Sequence, residues 1–203
     1  MCRASRSKLP ATMTAFHRAF YSTRTALLAA LMVCSTAAFA QPMDAAATPS
    51  LYLQTARAAH GTNSITLGGT LPWNGWHRTV WGSDVRGYWD LYISQWAGDG
   101  QTGRIHTTLL GVTPSFRLTP GDGHSRWFLD AGVGATLASP RYVTLYKEFS
   151  TRLNFATHIG VGVVLGTQRQ HELQLRLEHV SNASIKKPNP GENFLQLRYA
   201  LHF

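Results

Sequence analysis

From Phe194 to Phe203, apolar and polar residues alternate with a period of two. Leu195, Leu197, Tyr199, Leu201 and Phe203 share one parity, while Gln196, Arg198, Ala200 and His202 share the other. Side chains on a strand point alternately to its two faces, so this segment predicts a strand with one apolar and one largely polar face. The stretch His171–Ser181 repeats the pattern, with Leu173, Leu175 and Leu177 set against Glu172, Gln174, Arg176 and Glu178. Charges of both signs on the inner face are foreign to a soluble core but suit a barrel with lipid outside and polar side chains inside. Six further strands are expected, near Ser50–His60, Ser64–Leu71, Val85–Trp96, Arg104–Leu118, Arg126–Ala138 and Leu153–Leu165. Clusters of Gly, Pro, Asn and Asp separate them. The longer separators are Pro72 to Asp84, Ser139 to Arg152 and Asn182 to Asn193.

The expected fold class is therefore all-β, an eight-stranded antiparallel transmembrane β-barrel. Closure gives every backbone N–H and C=O an internal partner, which hydrocarbon demands. Eight strands enclose a space that side chains fill, so no channel is expected. Trp73, Trp76, Trp81, Tyr88, Trp89, Trp96, Trp127, Tyr142 and Tyr146 fall near strand ends and read as interfacial girdles. A secreted lipocalin-like barrel with apolar residues inside is the soluble alternative, and the charged inner parity weighs against it.

The ends of the chain place it in an envelope. Arg3, Arg6, Lys8, Arg18 and Arg24 precede the apolar run Ala26–Ala40, which closes on Ala38-Phe39-Ala40. That is the layout of a secretory signal peptide, 1–40, cleaved before Gln41, with Met13 as an alternative start. The barrel domain then spans 41–203, and Gln41–Pro49 is expected as a short disordered or docking segment. The leader takes 5 of the 19 Lys and Arg and none of the 10 Asp and Glu, so the remainder carries a net +4. Those basic residues are scattered, which gives no reason to invoke nucleic acid. Both cysteines, Cys2 and Cys34, lie in the leader, so no disulfide is expected in the exported chain. A terminal Phe203 on an amphipathic strand looks like an outer-membrane sorting signal.

Candidate chemistry sits where the outward leucine row of the seventh strand ends. Leu173, Leu175, Leu177, His179 and Ser181 share one parity. Residues two apart on one face are neighbours about 6–7 Å apart at the backbone, so an imidazole can reach a hydroxyl. His179 is then the base that activates Ser181 and later the acid for the leaving alcohol. The bland reading is a polar strand end at the headgroup level. Asn182, Asn189 and Asn193 follow and can supply N–H donors to an oxyanion. His60, His77, His106, His124 and His171 show no metal-ligand spacing, so no metal is expected. Gly132-x-Gly134 and Gly160-x-Gly162 lack a following helix and read as strand glycines of close approach. His158 and Glu172 read as interior polar residues.

The run EHVSNASIKKPNPGENF, with the strand after it, resembles the PagL-type lipid A 3-O-deacylases. Weaker similarity extends over Gly87-Tyr88-Trp89-Asp90, Ala131–Gly134 and Leu153-Asn154-Phe155. The resemblance implies hydrolysis of the ester-linked 3-hydroxyacyl chain at the 3 position of lipid A by an outward-facing His/Ser/acid triad, with no metal or cofactor. It makes His179 the base and Ser181 the nucleophile. Asn182 matches an Asn important for activity, and Asn189 matches an oxyanion candidate. The family's Glu aligns with Asn193, while Glu192 lies one residue early. Parity points Asn193 outward and Glu192 inward, but a turn after Gly191 can rotate Glu192. Glu192 is the favoured acid, and Asn193 stands as its neutral substitute.

Even strand number puts both termini in the periplasm, so His179 and Ser181 end up at the outer leaflet. The implied partners are lipid A or lipopolysaccharide there, with a homodimer left open. Lys186 and Lys187 are weak candidates for lipid A phosphates, or simply solvated loop lysines. Two alternatives compete: a surface phospholipase-like esterase, and a small barrel without enzymatic activity.

Overall fold

The computed structural model describes residues 44–203. The expected leader lies outside the described residues. Eight antiparallel strands form a closed barrel: β1 (Ser50–Ala58), β2 (Asn63–Val80), β3 (Ser83–Gly100), β4 (Gly103–Pro120), β5 (Trp127–Ser139), β6 (Leu153–Leu165), β7 (His171–Ser181) and β8 (Glu192–His202). Each strand pairs with its sequence neighbour. The ring closes where β1 meets β8, from Ser50↔His202 to Ala58↔Phe194. The start of β1 and the end of β8 therefore share one end of the barrel. The β7–β8 loop opens at the other.

The alternation read from sequence becomes the barrel wall. In β8 every inward residue is buried and every outward one exposed. Leu51, Leu67, Leu110, Leu129, Ile159, Leu177 and Leu197 belong to the exposed apolar belt. A belt of this kind matches the hydrocarbon a membrane barrel faces. Inside, charges satisfy one another. Asp90 accepts from Tyr52 Oη at 2.6 Å, Arg176 Nη1 at 3.1 Å and Arg198 Nη2 at 2.9 Å. Arg117 grips Glu172 with two bonds of 2.7 and 3.0 Å, and His202 lies 3.0 Å from the same carboxylate. His158 and Glu172 are both interior, as expected. Spaces beside Tyr52 and Arg117 hold only about 10 and 20 Å³, so side chains fill these parts of the lumen.

Two expectations change. Pro72 to Asp84 is not a simple separator, because β2 continues to Val80 and β3 starts at Ser83. Register shifts between Pro72 and His77, so Pro72, which lacks an N–H, and Gly75 sit in an irregularity instead of ending the strand. The real turn is Trp81-Gly82, with φ of 49° and 67°, the pair of positive values that a two-residue hairpin requires. The aromatics also divide. Trp73, Trp76, Trp89 and Phe116 cluster near the terminal end of the barrel, with Trp73 edge to face against the other three. Tyr88, Trp96 and Tyr142 point inward and belong to no girdle. Trp96, Tyr142, Phe149 and Phe194 instead form an apolar plug inside the opposite mouth, with Trp96 and Phe194 centroids 4.5 Å apart. Of the two alternatives for the segment before β1, its described residues take the docked one: Ala45 packs with Phe128 and Val164, and Asp44 pairs with Arg86 at 3.0 Å.

The strand glycines mark close approach. A Cβ on Gly132 would lie 2.5 Å from His158 Cε1, and one on Gly160 would lie 2.7 Å from Arg176 Cγ. Only a residue without a side chain admits these interior groups.

Candidate active site

The outward leucines of β7 lead into His179 and Ser181, which stay on the lipid-facing side at the mouth remote from the termini. His179 Nε2 lies 3.0 Å from Ser181 Oγ. Residues 179 and 181 are successive on one face, so the pleat alone brings them together. The third group comes from across the strand pair. His179 faces Asn193 directly in the β7–β8 register. Asn193 Oδ1 is 2.7 Å from His179 Nδ1. An amide oxygen only accepts, so Nδ1 carries the proton and Nε2 presents a lone pair to the serine hydroxyl.

Glu192, expected beside His179, is elsewhere. β8 begins at Glu192 with no bulge, and Glu192 pairs with inward-facing Val180. Its side chain therefore points into the barrel, where it is 1% exposed. There Oε2 accepts from Tyr142 Oη at 3.0 Å, and Oε1 accepts from Lys147 Nζ at 2.8 Å. Burial first, and then the Glu192 carboxylate, push the Tyr142 phenol well above its usual range, so it remains a donor. Strand parity holds through Gly191, and no rotation brings Glu192 outward.

The β7–β8 loop turns sharply behind the serine. Ala183 and Ser184 take left-handed backbone, φ 51° and 62°, which non-glycine residues adopt at a cost of order 1–3 kcal/mol. Asn182 is buried and holds the loop rather than facing outward: its Nδ2 donates to Ser150 Oγ at 2.9 Å and to the Lys186 carbonyl at 2.7 Å. Its amide nitrogen is thereby engaged within the loop and not turned to the outer surface. Asn189 Oδ1 accepts from the Asn182 backbone N–H at 3.0 Å, and Asn189 Nδ2 lies 3.5 Å from Ser184 Oγ. Of the two asparagines, Asn189 has the less engaged side-chain donor. Lys186 and Lys187 are exposed in the same loop.

Gly191 closes the site from the other side. Its φ is +62°, and a Cβ there would come 2.7 Å from His179 Cε1. An open groove of about 570 Å³ runs from His179 and Asn193 along Leu177, Leu195, Ile159 and Ala58, with Arg57 at its edge. Its size is that of a site for a small molecule or an acyl chain. Among the described residues no three His, Cys, Asp or Glu side chains gather as a metal site.

Sequence reading missed Tyr142, Lys147 and Ser150, all in the β5–β6 loop. Ser150 Oγ donates to the Lys186 carbonyl at 2.9 Å. These contacts join residues 32 to 50 positions apart. No local pattern signals them.

Comparison with known proteins converges on one family. The family model described as Lipid A 3-O-deacylase (PagL) matches residues 63–202. The lipid A deacylase PagL of Bordetella bronchiseptica is 33% identical over 132 residues, covering 62% of this chain and 71% of that protein. The lipid A deacylase PagL of Pseudomonas aeruginosa is 28% identical over 167 residues, covering 77% and 93%. Among solved structures, the crystal structure of the outer membrane enzyme PagL is similar with a TM-score of 0.64 and 24% identity, covering 76% of this chain and 99% of that one. That likeness shows the fold.

Proposed function

The chain belongs to the PagL family of lipid A 3-O-deacylases, and from that premise we propose that it is a serine esterase working through Ser181, His179 and Asn193. It is an outer-membrane β-barrel hydrolase of lipid A. The bond cut is the ester of the 3-hydroxyacyl chain at the 3 position of the sugar. The carrying observation is the contact of His179 with both Ser181 and Asn193, at 3.0 and 2.7 Å, on the lipid-facing wall.

The chemistry follows from that line. His179 Nε2 takes the proton of Ser181 as its Oγ attacks the ester carbonyl. The carbonyl oxygen becomes an oxyanion, for which Asn189 Nδ2 is the side-chain donor we assign. His179 then hands its proton to the departing sugar oxygen, leaving an acyl-serine. Water, deprotonated by the same imidazole, releases the fatty acid. Asn193 holds the ring in the reactive tautomer throughout, as the Asn of Cys-His-Asn proteases does. The groove beside His179 takes the acyl chain, whose apolar walls continue the bilayer. Lys186 and Lys187 are left as contacts for the anionic headgroup, acting as point charges.

The test is mass spectrometry of lipid A from cells expressing the protein. Loss of one 3-hydroxyacyl chain, abolished by Ser181→Ala with the barrel still folded, supports the reading. Fatty acid released from phospholipid alone would move the activity to another substrate. Unchanged deacylation in Ser181→Ala would overturn the serine mechanism.

A further inference from the structure

Lys147 sits far from Ser181 in sequence and belongs to no part of the line Ser181–His179–Asn193. Its surroundings are nevertheless built with care. The β5–β6 loop that carries it is a small hairpin: Val143 bridges Glu148, Thr144 N donates to the Lys147 carbonyl at 2.8 Å, and Lys147 N donates to Thr144 Oγ1 at 2.9 Å. Leu145 N donates to the Asp99 carbonyl at 2.8 Å, which ties the hairpin to β3. Tyr142 anchors its base, with Thr62 Oγ1 2.6 Å from its hydroxyl. The hairpin thus spans the mouth of the barrel from β5–β6 towards β8.

At the far side Lys147 makes two contacts with the strand that carries Asn193. Its Nζ donates to the Gly191 carbonyl at 2.8 Å and to Glu192 Oε1 at 2.8 Å. The lysine side chain is only 17% exposed, and Glu192 only 2%. Gly191 is the residue against the His179 ring, and Asn193 is the acceptor for its Nδ1. Lys147 therefore pins the backbone immediately before the orienting residue, on the side opposite the imidazole.

We propose that Lys147 is a positioning residue for the deacylation: by bridging the Gly191 carbonyl and the Glu192 carboxylate, it fixes the Gly191-Glu192-Asn193 segment so that Asn193 holds the histidine in line with the serine. This inference rests on the reading of Ser181, His179 and Asn193 given above. It also gives Glu192 a task that needs no contact with His179. A bland alternative makes Lys147 a mere counter-ion for a buried carboxylate. The two differ over the Gly191 carbonyl, which loses its donor whether or not the charge is balanced.

The experiment compares Lys147→Met, Lys147→Met/Glu192→Gln and Glu148→Gln, each refolded in detergent and checked by its heat-dependent shift on SDS gels. Rates are measured on purified lipid A, and Ser181 is titrated with a small organophosphorus fluoride, which loses fluoride as the serine oxygen bonds to phosphorus. A displaced orienting group costs about ten- to a hundredfold. Lys147→Met should lose that much in kcat with KM within about twofold, and the labelling of Ser181 should slow in parallel. The double variant should regain barrel stability, because the carboxylate is gone, yet remain slow in both assays. Glu148→Gln, on the exposed side of the hairpin, should match the parent protein. Full kcat in folded Lys147→Met, or recovery of kcat in the double variant, would overturn the proposal. Ser181→Ala in the same series separates the failures, because activity surviving there sinks the serine mechanism itself and not only the role of Lys147.

Discussion

Asn193 is the residue through which the proposed mechanism is most exposed to refutation. Its Oδ1 is 2.7 Å from His179 Nδ1 and fixes which nitrogen bears the proton. It does so without a net charge, so the imidazolium formed during acylation is oriented but not neutralised. Asn193→Asp changes one atom type, keeps the side-chain length and puts a carboxylate where the acceptor now sits. Charge centres about 4 Å apart in a water-like medium attract by about 1 kcal/mol, and the exposed position of Asn193 argues for that lower limit. One kcal/mol in the barrier is roughly fivefold in rate. The neighbouring Glu192 does not cancel the gain, because its carboxylate faces the lumen and is paired with Lys147. Asn193→Asp should therefore raise kcat on purified lipid A about fivefold, and the gain should shrink at high salt as the pair is screened. Asn193→Ala removes the acceptor and should cost about ten- to a hundredfold. If the aspartate variant folds but is as slow as the alanine variant, Asn193 does not orient the base.

Two further outcomes test the frame around the site. Gly191→Ala places a methyl 2.7 Å from His179 Cε1 on left-handed backbone, so deacylation should fall at least tenfold while the heat-dependent gel shift of the barrel persists. Asp90→Leu leaves Arg176 and Arg198 without their shared carboxylate, so the barrel should lose about 3–5 kcal/mol in urea unfolding from vesicles, with the site geometry intact in whatever fraction stays folded.

Parity made most of this fold legible. The leucine rows of β7 and β8 fix which face meets lipid, and the first contact of the site, between His179 and Ser181, follows from the same period of two. Strand number and the positions of β5 to β8 follow from turn residues at ordinary spacing. Reading failed where a residue type carried the wrong local message. Pro72 and Gly75 look like the end of a strand, yet the chain absorbs them in an irregularity and turns only at Trp81-Gly82. Tyr142 looks like an interfacial aromatic, yet it fills the mouth from inside because a loop folds inward over Trp96 and Phe194. Glu192 drew attention because a carboxylate is the expected partner of a catalytic histidine. There register, and not residue type, sets which side chain reaches the histidine.

The pairing of Val180 with Glu192 and of His179 with Asn193 ties a surface site at a lipid boundary to buried neighbours. Outward residues at the headgroup level have bilayer on one side and can borrow little packing from it. Their positions must be set by what lies one residue away, on the other face of the same strands. Val180, Asn182 and Glu192 are those residues, and all three are buried in the plug or the loop network behind the wall. His179, Ser181 and Asn193 alternate with them and carry the chemistry in the mechanism proposed above. The odd and even positions of one strand pair thus divide the work: the inner set holds the backbone still, and the outer set meets the substrate. A substitution on the inner set should therefore reach the reaction through geometry alone, changing the rate more than the affinity for lipid A, whereas one at the groove residues Leu177 or Leu195 should do the reverse.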